Sequence, residues 1–591
     1  MMKKHTLYSY ILALSLVVPV LFPASSLARE AEEDPATRSV WPFRPLSEVE
    51  NIPSTLTEEG RVTFTSETGE VRFVSGDPLD MQVVDEGDAV RYGYHWMDLE
   101  NADLKLLRRD DFRDITVYTF QQMNTGEEFL SGRYLRLFAD SDGTVLGLSS
   151  SLTRDPDSSE TEPEAEDATD IDFRALYGDW VENTLEMSVR TVSDTEITVS
   201  LPVMTDPGSG LSYLVDPDRR IMLVDLDNLE DVDSRLDAEP LCVENLTTDS
   251  PLVSYAKFID VYDFFRTQGW AGPDGTGSPS LLQIALSGEG GGNASYAGKQ
   301  EGCHIFNFSV DDGASQATSV IAHEFMHGVS DTNHIGPYEN QTGALNESIS
   351  DIIGNAVDAS LTGYGFESDV FLNGFLTNHR DQYPLYVWDA YYTPRTAAPD
   401  SSNDLGSVHH NAFVVTMLTY RMAEAGVSPH DRFAYWMLMD LSLTPETEFA
   451  EIGAKAAWCA EIAGLTDYMG ILQDAAESLR LGSEEPPEDL PESQSLIRLV
   501  TDQDPDSPVV LTLVNEDTQS SFTTWTDAKT GALMAVVDEG TYYLVLGDPN
   551  STPLYFWTGD GFAEAPEGVD PEDLQMGEPV LAGGGSFMDF E

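Results

Sequence analysis

Cations are scarce in this 591-residue chain: 31 lysines and arginines face 103 aspartates and glutamates, for a formal net charge of -72. A surface this negative repels phosphate backbones and anionic headgroups, which excludes nucleic acid and acidic membrane as partners. Two readings of the acidity stay open: plain solubility, and tolerance of a saline medium in which screening weakens self-repulsion. Cysteine is almost as scarce. Only Cys242, Cys303 and Cys459 occur, so at most one internal disulfide can form and the fold does not rest on such links. Long apolar runs are missing too: the run from Tyr10 to Phe22 falls short of the ~20 residues a membrane-spanning helix needs, and no later stretch reaches it. No repeat period is present, which excludes a solenoid. A single compact core is excluded by length, and roughly two to four domains are expected.

Residues 1–28 have signal-peptide order, with Lys3 and Lys4, the apolar run, and "SSLA" before Arg29. Export is therefore expected. A lipid anchor would need a cysteine after the signal, and the first lies at Cys242. Strand-like runs such as "ITVYTFQQM" and "RYLRLFADSDGTVLGLSSSL", the latter turning at Asp142-Gly143, make 29–152 a small α+β module. The acidic, aperiodic stretch 153–170 is a linker, and 171–235 is a second alternating region whose last strands turn at Asp216-Pro217-Asp218. From 236 to 482 helical spacing dominates, beginning with "YAKFIDVYDFFRTQG" and its stop at Gly269. A Pro-rich linker, 483–495, precedes short strands over 496–591 that are expected to form a small β-sandwich. The expected fold class is thus α+β multidomain, with a mostly helical central domain.

The chemistry concentrates in "HEFMH". On a helix, residues i and i+4 share a face, so His323 and His327 can aim two imidazoles at one ion with Glu324 beside them. By itself this stretch also reads as a helix that happens to contain two histidines. A catalytic zinc takes three protein ligands, and "GALNESISDIIG" offers Glu347, 24 residues after His323, on a second helix with core-like isoleucines. Asp351 lies one turn further on the same face, where a carboxylate can accept the other N–H of a ligating imidazole. A solvated helix face is the alternative reading of both acids, and a poor one, because they flank the core-like isoleucines.

The motif HExxH followed by Asn-Glu-x-x-Ser-Asp resembles the thermolysin family of zinc metalloproteases; zinc aminopeptidases typically place the glutamate one residue closer. The resemblance implies that His323, His327 and Glu347 are zinc ligands, Glu324 the general base and Asp351 the partner of His323. Tyr338 in "GPYENQTGA" and His409 in "NDLGSVHHNAFV", rather than His410, would stabilise the oxyanion, with Asp404 orienting His409 and Asn411 completing the motif. Asn293 and Ala294 in "GGNASYAGKQ" would align a peptide substrate as an added strand, and Arg380 would bind a substrate carbonyl. By the same resemblance 29–152 and 171–235 are two parts of a prodomain, the second PepSY-like, acting as intramolecular chaperone and inhibitor and removed by cleavage between about 225 and 250. The β-rich lobe before the first catalytic helix would then be heavily shortened. The family's paired-calcium position before the first histidine is Ser319 here, while Asp358, Glu367 and Asp369 could still hold one Ca2+. The implied activity is endopeptidase cleavage of proteins or peptides before a hydrophobic residue. Aminopeptidase action and a non-catalytic surface-binding role are the competing classes.

Overall fold

In the computed structural model the described residues are, with short breaks, 71–153, 172–226, 238–362 and 404–478, together with strands within 54–65, 161–162 and 494–590. The expected signal peptide and the 483–493 linker lie outside them, as do Asn293, Arg380, Glu367 and Asp369.

An eight-stranded sheet opens the structure: β1 (Ser54–Leu56), β2 (Val62–Thr65), β3 (Val71–Ser75), β4 (Asp103–Phe112), β5 (Ile115–Met123), β6 (Phe129–Asp140), β7 (Val145–Ser150) and β8 (Thr161–Glu162). Its order is β1-β2-β3-β7-β6-β5-β4, with β8 beside β6. The 153–170 stretch, expected to be linker throughout, thus contributes two residues that pair with Phe129 and Leu130. Helix α1 (Glu86–Met97) covers one face of the sheet, packing with Tyr118, Phe120, Leu135 and Leu137. The alternate residues Phe73, Val117 and Phe138 point the other way, into a cluster shared with the central helices. Period-two alternation with both faces apolar is why these strands read as nearly continuous hydrophobic runs.

Strands β9 (Val181–Arg190), β10 (Glu196–Thr205) and β11 (Ser212–Tyr213) form a small antiparallel sheet. A five-stranded sheet follows, of order β12-β13-β14-β16-β15, from β12 (Val215–Asp216), β13 (Ile221–Asp225), β14 (Ser280–Ala285), β15 (Ala294–Gln300) and β16 (Cys303–Ser309). Here the expected boundary at 235/236 fails as a structural division. β13 runs parallel to β14 along its full length, and Leu241 N donates to Leu223 O at 2.8 Å, so residues on both sides of 235 belong to one sheet. Parallel neighbours need a crossover, and α2 (Ser250–Thr267) supplies it between β13 and β14. That helix stops before Gly269, whose φ of 94° is costly for a residue with a Cβ.

The remaining helices are α3 (Thr318–Thr332), α4 (Asn340–Thr362), α5 (Asp404–Glu424), α6 (Pro429–Ser442), α7 (Phe449–Ile462) and α8 (Met469–Ser478). Ser428 caps α6, its side chain accepting from Asp431 N at 3.1 Å. Tight helix contact depends on glycine: a Cβ on Gly354 of α4 would lie 2.6 Å from Ser319 O of α3. Among the described residues no helix is long and apolar enough to cross a membrane. The C-terminal strands β17 (Gln494–Val500), β18 (Val510–Asn515), β19 (Ser521–Trp525), β20 (Ala532–Asp538), β21 (Gly540–Asp548), β22 (Ser551–Trp557), β23 (Phe562–Glu564), β24 (Val580–Ala582) and β25 (Ser586–Phe590) form two sheets. Leu499 of one sheet and Leu513 of the other share an apolar cluster distinct from the central one.

Candidate metal centre

Helices α3 and α4 pack face to face, with Ile321, Phe325, Met326 and Val329 of the first and Leu345, Ile349, Ile352 and Ile353 of the second all fully buried in the central cluster. That packing fixes the one face of α3 on which His323 and His327 stand. Their Nε2 atoms lie 2.9 Å apart. Glu347 of α4 completes a triangle, Oε2 at 3.6 Å from His323 Nε2 and Oε1 at 3.5 Å from His327 Nε2. Ligand atoms set ~2.0–2.1 Å from one tetrahedral ion stand roughly 3.3 Å apart, a value these separations bracket. Zinc therefore fits the donor set, which is two nitrogens and one carboxylate oxygen within 4.8 Å of one another.

Each imidazole is held from behind. His323 Nδ1 lies 2.9 Å from Asp351 Oδ1, and His327 Nδ1 lies 2.5 Å from Asn346 Oδ1 and 3.1 Å from Ser350 Oγ. With Nδ1 as the protonated nitrogen in both rings, both Nε2 lone pairs face Glu347. The electrostatics agree with a site built for a cation. Burial opposes charge on His323, yet its hydrogen bond to the Asp351 carboxylate and the charges of Asp351, Glu347 and Glu324 raise its pKa to about 9. Burial likewise works against an ionised Glu347, but His409, His327 and His323 together with the Tyr338 hydroxyl hold it down at about 2.

Glu324 sits among them, 6% exposed, on the turn between the two histidines. Tyr338, just before α4, donates its hydroxyl to Glu347 Oε1, and its oxygen is 3.4 Å from His409 Nε2. His409 reaches in from the first turns of α5, its Nε2 3.5 Å from Glu347 Oε1, with 63% of its side chain exposed. The open side of the triangle is thus flanked by two hydrogen-bond donors.

Of the residues singled out in the sequence, the structure brings together His323, Glu324, His327, Tyr338, Glu347, Asp351 and His409. Ala294 begins β15, the edge strand of its sheet. Asp404 opens α5, while Asn293 and Arg380 lie outside the described residues. Of the carboxylates offered for calcium only Asp358, on α4, falls among the described residues. Sequence reasoning missed Asn346 and Ser350. Their signal was their i, i+4 spacing on α4, which puts both on the face that meets His327.

Comparison with known proteins finds likenesses over part of the chain. The family described as "Thermolysin metallopeptidase, alpha-helical domain" matches residues 337–469. The chain is 27% identical over 216 residues to the extracellular elastase of Staphylococcus epidermidis, covering 34% of this chain and 40% of that one. It is 28% identical over 205 residues to the neutral protease NprE of Bacillus pumilus, covering 33% of this chain and 65% of that protein. Thermolysin of Alicyclobacillus acidocaldarius subsp. acidocaldarius is 24% identical over 223 residues, 34% of this chain and 39% of that one. Each match therefore spans less than two thirds of the relative. Among solved structures, the precursor of protealysin from Serratia proteamaculans matches at 18% identity and a TM-score of 0.33, covering 44% of this chain and 87% of that chain. The stretch that carries Glu347 and His409 thus matches the helical domain of thermolysin-like metallopeptidases, and the chain is similar over about a third of its length to proteases of that family.

Proposed function

We propose that the protein is a secreted zinc-dependent endopeptidase, with His323, His327 and Glu347 as the metal ligands. The observation that carries this reading is the convergence of both Nε2 atoms on Glu347, with the buried Glu324 beside them. A zinc ion held there supplies an electron-pair acceptor for the scissile carbonyl and acidifies the attacking water. Glu324 takes the proton of that water and returns it to the departing amine. The Tyr338 hydroxyl and His409 Nε2 donate to the carbonyl oxygen as it gains charge, the role for which preplaced donors are most effective. Asp351 and Asn346 hold the two imidazoles in the tautomer that keeps Nε2 unprotonated. The edge of β15, starting at Ala294, binds the substrate backbone as an added strand, a mode that suits internal peptide segments. The N-terminal module serves as a template on which the helices fold.

Casein digestion by the purified protein, with and without a zinc chelator and after zinc is restored, tests the reading. Activity that is lost to chelator and recovered with zinc is expected. Glu324→Gln should bind one equivalent of zinc and hydrolyse nothing; a variant that still cuts would remove Glu324 from the mechanism. A peptide blocked at both termini should be cut, and failure on that substrate with success on its free-amine counterpart would turn the reading to an aminopeptidase.

A further inference from the structure

We infer that the N-terminal sheet, residues 54–153, is a permanent partner of the catalytic helices, one that stays docked after the chain between them is cut. This goes beyond the peptidase reading and does not depend on it.

Three observations carry the inference. The first is the interlock of apolar surfaces. Trp458 of α7 is 3% exposed, and its ring meets Phe73 at 5.0 Å and Phe138 at 5.1 Å between centroids. Its indole N–H donates to Leu146 O at 2.7 Å, and it lies so close over β7 that a Cβ on Gly147 would be 2.9 Å from Nε1. Among the described residues the sheet's inward face packs into the cluster of the central helices, so losing those helices would bare Phe73, Phe112, Val117 and Phe138 together.

The second is that the sheet finishes the helix bearing the metal ligands. The last carbonyls of an α-helix have no partner inside it. Arg108 of β4 donates to Thr332 O of α3 at 3.1 Å and to the side chain of Asn333. Asn333 in turn donates to Asp440 of α6, which also accepts from Ser330 Oγ at 2.7 Å. Arg136, on the inward face of β6 and 1% exposed, donates to Leu441 O at 3.0 Å. Arg72 and Arg133 both pair with Glu446. These contacts fall at the C-terminal ends of α3 and α6 and on the segment that follows, so the sheet supports the far end of the helix that carries both histidines.

The third is where the backbone can be divided. Cleavage expected between 225 and 250 would cut between strands of one sheet, since Leu214 N donates to Leu241 O at 2.9 Å and Leu241 N to Leu223 O at 2.8 Å. Among the described residues, a cut within 153–170 crosses only the two-residue strand β8. A cut there therefore separates two bodies that remain clasped elsewhere.

The test uses the full chain carrying Glu324→Gln, so that self-digestion plays no part, with a recognition sequence for a site-specific protease inserted after Thr153. After complete cutting, gel filtration and native mass spectrometry should find both fragments together in equal amounts, unfolding in one thermal transition. Gly147→Leu, whose side chain grows into Trp458, should raise the free N-terminal fragment about tenfold or more. Glu446→Gln, a milder change that removes the charge facing two arginines and turns one of its two acceptor oxygens into a donor, should raise it less and keeps the test valid if Gly147→Leu does not fold. Fragments that separate in the parent, leaving a catalytic part that melts at the uncut temperature, would overturn the inference. So would fragments of both variants that stay together as firmly as the parent's.

Discussion

The two β-rich ends of this chain meet the middle that carries the candidate metal centre on different terms. The N-terminal sheet shares its apolar cluster with α2, α3, α4, α6 and α7, whereas the C-terminal sheets close a cluster of their own around Leu499, Leu513, Leu533 and Leu544. A module that keeps its own core can be lost without baring another's. A module whose core is half someone else's is part of the same folding unit, whatever the sequence between them looks like.

Truncation should break this comparison most severely. Removing residues up to 153 is expected to yield insoluble or molten protein, read as loss of the cooperative thermal transition. Trp458→Ala, which vacates the centre of the shared face, should cost ~3–5 kcal/mol by denaturant titration. Gly354→Ala should cost ~1–3 kcal/mol, because its methyl must push Ser319 and thus α3 away from α4. It should also weaken zinc retention in competition with a chelating dye, since Glu347 and Asp351 stand on α4 and the histidines on α3.

Asp440 permits a pH test of the joint. Burial raises its pKa from 3.8 to about 6 against the hydrogen bonds from Ser330 and Asn333 and the charges of Arg136 and Arg108. A carboxyl whose folded pKa lies above its unfolded value stabilises the fold fully below the unfolded value, and that contribution is lost as pH rises through the folded one. Stability should therefore fall between about pH 4 and pH 7 through this group, by on the order of 3 kcal/mol, and melting temperatures should fall with it. Asp440→Asn should flatten that slope; an unchanged slope would show that another group governs it. The smallest effect belongs to deletion of 483–591, expected to leave zinc content and the main thermal transition nearly unchanged.

Much of the site was legible because helix geometry turns spacing into direction. His323 and His327 four apart, and Glu347 and Asp351 four apart, needed only two packed helices to converge. His409 was legible only through the resemblance, as nothing local says that α5 brings it to Glu347. The division at 235 misled because strand pairing is nonlocal: β13 finds its parallel partner more than fifty residues later, and no local pattern in "IMLVD" announces which strand it will lie beside. Arg136 was illegible for a similar reason. In "RYLRLFAD" a charged residue amid alternating apolar ones reads as solvent-facing, yet that face of β6 is the one that meets α6. Gly354 and Gly147 carry no signal at all until the surfaces they admit are known.

The outer side of β15, with which no strand among the described residues pairs, bears on how such a protein coexists with itself. A strand at the end of a sheet offers a row of backbone donors and acceptors to any extended chain, copies of its own included. At a formal charge of -72, two copies approach against strong mutual repulsion, while a neutral or basic peptide does not. If β15 takes a peptide as proposed, the acidity would act there as a filter, sparing kin and admitting strangers, and it would weaken as salt shortens the reach of charge.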